Sequence, residues 1–426
     1  HPMFATTISR LRAFLLQVGP WPATHLLILG FAAMHLVLAT TLPLIAFETH
    51  YALYGIHLDW SYIDHPPMVG WIQALVQQFA RSDFAMRLAP IALSTASQYL
   101  VAVIALRLFP GRSPWLGFTT ALILQGTLLM HMSIAMAPEA PLLLAGLLTL
   151  WFTWRVIETD SLRAWLGLGL ALGLAGLSKY TAITLALSVV LGLWLGGRLH
   201  ALAERRAWYG LALAALMVSP VLLWNAFNDW ASFRYQLGYQ MGGEDEPWSL
   251  VDALDMQFEQ LGAYSPLLYL GGIAAVFWGL RSGDRNARLL LAFSLPILLL
   301  FGYMAGSGRS SAHWTLLGWV FLAPLCAAWL LHHWHNRLVR ILTGFSASLS
   351  VLLLLVICIA PLPFLPFPDY GHPLSRVLGW EAASNRAVEL RQQMADEGGP
   401  EPVVLVYNWH YAGPLAWYNP ELVVQD

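Results

Sequence analysis

The chain reads ATHLLILGFAAMHLVLATTLPLIAF over residues 23–47 and then ETHYALYGIHLDWSYIDHPP over residues 48–67. The first run is apolar and long enough to cross a bilayer, which takes about 17–25 residues as a helix. The second sets Glu48, Asp59, Asp64, four tyrosines or tryptophans and three histidines directly beside it. Ionisable groups are expensive inside lipid and cheap just outside it, so such a block at a span's end points to a site at the membrane boundary.

The whole chain has the same character. Of 426 residues, 58% are hydrophobic and 11% charged, whereas a soluble chain carries roughly a quarter charged residues. Twenty Trp and fifteen Tyr suit the belts that form at headgroup level. The net charge of -2 says nothing about nucleic acid, but the sequence has no basic arm to bind any, and no nucleic-acid partner is expected. Cys326 and Cys358 lie in apolar runs and read as small core residues. The segment after Arg10 and Arg12 reads as an uncleaved first helix.

Hydropathy predicts an all-α polytopic membrane protein with about eleven spans. They fall near 23–47, 86–106, 114–136, 140–156, 164–178, 181–197, 208–226, 262–280, 288–306, 314–332 and 341–362. Alternate gaps differ in charge. One set holds Arg10, Arg12, Arg107, Arg112, Arg155, Arg163, Arg198, Arg205, Arg206, Arg281, Arg285, Arg288, Arg337 and Arg340; the other holds Arg81, Arg87, Lys179, Arg234 and Arg309. The positive-inside rule makes the first set cytoplasmic, the N-terminus inside and the C-terminus outside. Residues 1–362 then form a transmembrane domain and 363–426 an outer segment. The first outer loop, 48–85, is expected to hold two interfacial helices, 48–58 and 68–80. The loop 227–261 has room for another after the acidic run 244–246. The tail offers an amphipathic helix over 379–396, a strand over 402–407 and a helix over 409–418, the start of a small α/β unit that stops early.

On this topology the polar outliers share one compartment. Glu48, His50, Tyr51, Asp64 and His65 lie in the first outer loop. Glu139 lies between Pro138 and Pro141, and Lys179, the chain's only lysine, with Tyr180 at another outer turn. Asn225, Asp229 and Arg234 follow the seventh expected span, and Arg309 and His313 the ninth. A compact ammonium such as Lys179 suits a phosphate oxygen. Arg309, flanked by Gly306, Gly308 and serines, is a second phosphate candidate. Carboxylates beside such cations fit one reaction class: Glu48 or Glu139 takes a proton from an acceptor hydroxyl while cations hold a departing phosphate. Outside the cell the donor would be a lipid-linked sugar phosphate. These residues make no cofactor certain. A divalent cation on Asp64, His65 or His313 is left open, because neighbouring side chains in an extended segment diverge. His332, His333 and His335 read as a solvated helix end.

These residues carry a resemblance. The block from Glu48 to Pro67 resembles the first-loop signature of GT-C membrane glycosyltransferases, in the branch of bacterial relatives of protein O-mannosyltransferases and the lipid A aminoarabinose transferase. Met136-Ala-Pro-Glu-Ala-Pro141 resembles the family's Thr-Pro-Asp-Ala-Pro, and Gly176-Leu-Ser-Lys-Tyr180 its Gly-Leu-x-Lys-Tyr turn. Pro220 to Asn225, Asp229 to Arg234, Ala312-His-Trp314 and Arg376 to Trp380 follow in order. The resemblance implies an inverting transfer from an undecaprenyl-phosphate sugar to a lipid or cell-envelope glycan on the outer face of a bacterial inner membrane. It also implies a carboxylate base at the first loop. There the family reads Asp-Glu and this chain reads Phe47-Glu48. The second acidic position is Glu139, one methylene longer than the usual Asp. Two other readings remain at this stage. A lipid-sugar flippase would place its charges nearer the midplane and show inverted repeats, and this chain shows none. A catalytically degenerate lipid-sugar-binding member is the reading Phe47 favours.

Overall fold

A computed structural model describes residue 13 and residues 17–241, 247–308, 310–359, 378–397 and 402–425. The acidic run 244–246, Arg309 and the expected motif residue Arg376 lie outside the described residues. Helix dominates, as lipid requires: every backbone polar group must find its partner within the segment.

In chain order the helices are α1 (Pro20–Thr41), α2 (Ala46–Ile56), α3 (Met68–Gln77), α4 (Asp83–Leu108), α5 (Leu116–Gln125), α6 (Leu128–Met132), α7 (Glu139–Thr159), α8 (Leu162–Ser178) and α9 (Ile183–Leu195). Then come α10 (Arg205–Phe227), α11 (Ala231–Arg234), α12 (Leu250–Ala263), α13 (Ser265–Ser282), α14 (Arg285–Ala305), α15 (Leu316–His332), α16 (Arg337–Ile359), α17 (Trp380–Asp396) and α18 (Trp409–Tyr418). A two-residue strand, Val404–Leu405, pairs parallel with Val424–Gln425.

The protein is a multi-pass α-helical membrane protein, but a count of eleven spans is not confirmed. Seven described helices are long and apolar enough to cross a bilayer, or eight if the bent pair α12–α13 counts as one. The difference has local causes. The expected span 114–136 breaks at Gly126-Thr127, where Thr127 caps α6 and the Gly126 carbonyl accepts from Ser350 Oγ at 2.7 Å. Helices α8 and α9 fall short of full span length. Between α12 and α13 the axis turns by 115°, at Ser265 with φ +64°. Helices stand near the expected 48–58 and 68–80, as α2 and α3, and within 227–261, as α12.

The core is built around α15, whose Trp319, Phe321, Leu322 and Leu325 are buried among α7, α13 and α14. By contrast α10 and α16 leave most of their length exposed, as lipid-facing helices do. Helices α8 and α10 approach most closely at small residues. A Cβ placed on Gly210 would lie 2.5 Å from the Trp165 carbonyl oxygen, and the two backbones can meet only without it. Gly210→Leu is therefore expected to destabilise the fold by about 1–3 kcal/mol, read as a lowered thermal midpoint in detergent. An unchanged midpoint would refute the close approach.

Candidate active site

The site forms where helix ends converge. Helix α7 begins at Glu139 and its antiparallel neighbour α8 ends at Ser178, so Glu139 and Lys179 meet at the same end of the bundle. Lys179 Nζ donates to Glu139 Oε1, and the pair is largely buried. His313 Nε2 stands 3.7 Å from the same carboxylate oxygen. The turn carrying His313 is held to the α12–α13 bend: Tyr264 donates to the Ala312 carbonyl at 2.6 Å, and Trp319 Nε1 to Gln260 Oε1 at 2.7 Å.

Asp64 and His65 reach this place on the bent link between α2 and α3, not the extended one expected, because the Tyr62 amide donates to the His65 carbonyl at 3.0 Å and closes the bend. The Asp64 carboxylate accepts from Tyr54 Oη and lies 3.2 Å from His50 Nε2. Gln236 Nε2 donates to its backbone carbonyl at 2.7 Å. Burial pushes the Asp64 carboxyl up, but the His50 hydrogen bond and the neighbouring His65 outweigh it and hold it down at about 2. Burial holds His65 down at about 4, so its ring is neutral at physiological pH, and its Nδ1 is buried with no hydrogen-bond partner among the described residues. Burial first, then the Asp64 charge, push Tyr51 and Tyr54 up, so both stay protonated donors.

Both lowered values act in the same direction on stability. The unfolded chain takes up a proton at His65 near pH 6.5 that the folded chain refuses until about 4, so stability is full above 6.5 and falls as pH drops from 6.5 to 4. Asp64 adds a further loss between its unfolded value of 3.8 and about 2. We expect His65→Gln to flatten the thermal midpoint between pH 7 and 5, and an unchanged slope would contradict the burial of a neutral ring.

These groups share a cavity of about 720 Å³ lined by Phe47, Tyr51, Asp64, His65, Glu139, Lys179, Tyr180 and His313 at its polar end. Leu128, Leu129, Leu143, Ile183, Leu300 and Phe301 supply apolar wall. Ile183 is 75% exposed on the outer surface of the bundle, so the wall is continuous with the lipid-facing side. Among its described lining residues Lys179 is the one permanent cation. Ser61 Oγ and Tyr180 Oη, 3.3 Å apart, tie the first loop to the α8–α9 turn.

Other expected site residues lie elsewhere. Glu48 does not line the cavity; both its oxygens are taken by Arg87, at 2.9 and 2.6 Å, and one also accepts from the Ile45 amide at 3.0 Å. Its side chain is buried and spent on closing the turn before α2, so the structure does not offer it as a free base. Asn225 is buried and builds the turn after α10, donating to the Val221 carbonyl and accepting from the Ser232 amide. Asp229, at φ +52°, is exposed in that turn, and Arg234 lines a separate shallow groove with Trp230 and Phe233. His50 acts through Asp64. Among the described residues no three His, Cys, Asp or Glu side chains gather with metal-ligand spacing, and Asp64, His65 and His313 stand as polar lining groups. Sequence reasoning missed Trp314, Gln236, Trp409 and His410, which also line the cavity. The Ala312-His-Trp314 motif was the available signal for the first.

A helical membrane bundle whose cavity joins a polar end to a larger apolar wall is similar to the GT-C membrane glycosyltransferases in three comparisons. Residues 64–224 match the family model described as dolichyl-phosphate-mannose-protein mannosyltransferase. The lipid A galacturonosyltransferase RgtD of Rhizobium johnstonii is 25% identical over 374 residues, covering 86% of this chain and 77% of that protein. Crystal structures of ArnT from Cupriavidus metallidurans, in the apo state and bound to undecaprenyl phosphate, superpose with a TM-score of 0.60 at 18% identity. The likeness covers 92% of this chain and 75% of ArnT, and it establishes the fold.

Proposed function

We propose that the chain moves a sugar from a polyprenyl phosphate, undecaprenyl phosphate in a bacterial inner membrane, to a hydroxyl of a lipid or cell-envelope glycan such as lipid A on the outer face. The observation that carries this reading is the cavity itself. It joins an apolar wall open towards lipid to a polar end holding Lys179, Glu139 and Asp64. A prenyl chain fits the first part and a sugar phosphate the second. The ArnT complex with undecaprenyl phosphate and the galacturonosyl transfer in RgtD's name support it. The N-terminus would be cytoplasmic and the C-terminal segment outside.

The acceptor oxygen attacks the anomeric carbon from the face opposite the phosphate, the carbon–phosphate-oxygen bond breaks with inversion, and polyprenyl phosphate leaves. The acceptor's proton passes to a carboxylate. Glu139 and Asp64 are the described carboxylates on the cavity wall; they take the base and acceptor-orienting roles first assigned to Glu48 and Glu139. Lys179 offsets the phosphate charge, and Arg309, beside Gly306 and Gly308 in the sequence, is the second candidate for that role. Tyr51, His65, Tyr180 and His313 position the sugar by neutral hydrogen bonds.

The test is transfer from a polyprenyl-phosphate sugar in proteoliposomes. Glu139→Gln and Asp64→Asn are each expected to lower turnover by about 10²-fold or more, the scale of a lost general base. Full activity in both ends the reading, and movement of labelled lipid-sugar without transfer would replace it with a flippase. Phe47, on the cavity wall where the resembling family carries Asp, favours a second reading as a degenerate site. A large gain in turnover in Phe47→Asp would establish that one.

A further inference from the structure

The last described segment, residues 402–425, is bolted to the first loop. Gly413 packs so closely on α2 that a Cβ there would lie 2.8 Å from Thr49 Oγ1. Arg81 donates to the Trp417 carbonyl at 2.7 Å and stacks over its ring at 4.8 Å. Asp83 accepts from Trp417 Nε1 at 2.9 Å and from Tyr418 Oη at 2.7 Å. This anchoring brings the start of α18 over the cavity, where Trp409 and His410 complete its lining.

Trp409 is not there merely to fill space. It is 39% exposed. Its ring stacks on His410 at 3.8 Å and meets His50 at 5.1 Å, and His50 in turn holds Asp64. Beside it the aromatic surface continues outward. Tyr411 meets Tyr407 in a tilted contact at 5.0 Å, their hydroxyls are 2.7 Å apart, and Tyr407 is 85% exposed. Rings edged with hydroxyl, imidazole and indole N–H groups present a π face and a hydrogen-bonding rim together. A pyranose has the matching shape, with a C–H face and a hydroxyl rim. The strip also leads into the cavity end that holds Asp64 and Glu139, where an acceptor hydroxyl has to arrive.

We infer that Trp409, His410, Tyr411 and Tyr407 form a saccharide-binding track that delivers a glycan acceptor to the cavity. The inference rests on the sugar-transfer reading for what happens at the end of the track, but the binding it predicts does not require transfer. Trp409 and His410 contact the ring nearest the reacting centre, and Tyr407 and Tyr411 the next ring out. A single-sugar acceptor would use only the inner pair.

The experiment titrates the full chain in nanodiscs with cellobiose, maltose and N,N′-diacetylchitobiose, followed by saturation-transfer NMR, and separately with undecaprenyl phosphate. At least one disaccharide is expected to bind. Its affinity should fall about tenfold in Trp409→Ala and in the Tyr407→Ala/Tyr411→Ala double variant, a change of about 1.4 kcal/mol, while undecaprenyl phosphate binds the double variant as it binds the unaltered protein. The double variant alters exposed Tyr407 and half-buried Tyr411 at the outer end of the strip, so it stays informative if Trp409→Ala misfolds. Three results overturn the track: no disaccharide binds the unaltered protein, the variants bind as well as it does, or the double variant instead loses affinity for phospholipid vesicles, which would make these rings a membrane-surface anchor. Failure of undecaprenyl phosphate to bind the unaltered protein would sink the donor assignment and leave the track standing.

Discussion

Lys179→Ala is expected to reduce sugar transfer by at least about a hundredfold, the scale seen when a preorganised charge facing the developing phosphate is removed. Lys179 caps α8 with an extended backbone, which aims its ammonium across the helix ends at Glu139 rather than along them. On the proposed function, that ammonium would lie between the Glu139 carboxylate and the donor phosphate and serve both. Its removal leaves Glu139 in a buried place with His313, at 3.7 Å, as the nearest recorded partner. An uncompensated carboxylate there favours its protonated form, so the base is weakened along with the phosphate grip. Two measurements separate these losses. Undecaprenyl phosphate affinity reports the grip alone, and turnover at saturating donor reports the base. Both are expected to fall. Lys179→Arg keeps the charge, yet it must place a wider group next to the Trp314 ring, 5.9 Å from the ammonium, so partial recovery of binding is expected with little recovery of turnover. Donor affinity and turnover both within threefold of the unaltered protein would show that Lys179 is a structural counter-ion and nothing more.

Much of this site was legible in the sequence because lipid penalises charge. A lone lysine or a glutamate between two prolines has few inexpensive places in a membrane chain, and Lys179, Glu139, Asp64 and His65 were found on that argument. The same penalty misled for Glu48. A buried carboxylate need not be a reacting one if a partner neutralises it, and its partner Arg87 lies 39 residues away on α4, invisible to any local pattern. Asn225, Asp229 and Arg234 were read as site residues because they are polar groups following a span on the outer side, while in the structure they build a turn and line a separate groove. Trp409 and His410 could not have been singled out among twenty tryptophans and fourteen histidines; only the anchoring through Arg81 and Asp83 brings them to the cavity. The helices themselves were legible in place but not in length. Hydropathy marks where a segment is apolar, whereas Thr127, Ser265 and the Gly126 carbonyl decide where it breaks.

The reassignment of Glu48 makes a second prediction of large size, opposite in kind from the first. Arg87 is buried with Glu48 and donates also to the Leu42 and Pro43 carbonyls, while Asp83 accepts from the Leu44 amide at 3.2 Å. The turn joining α1 to α2 is thus clamped from α4, and the same Asp83 holds Trp417 and Tyr418. Removing one partner of a buried ion pair costs about 3–5 kcal/mol, because the other charge stays behind without compensation. Glu48→Ala is therefore expected to unfold at a much lower temperature. The Glu48→Met/Arg87→Met double variant should recover a large part of the loss, since two apolar groups leave no charge behind. Had Glu48 been the base, Glu48→Gln would fold normally and fail to turn over. On the present geometry it instead loses stability, and the molecules that remain folded transfer sugar at a near-normal rate. Measuring thermal midpoint and specific activity on the same folded fraction distinguishes the two. A stable, inactive Glu48→Gln would return the base to Glu48 and would require the α1–α2 turn to open during the reaction, since Arg87 and the Ile45 amide hold both of its oxygens when it is closed.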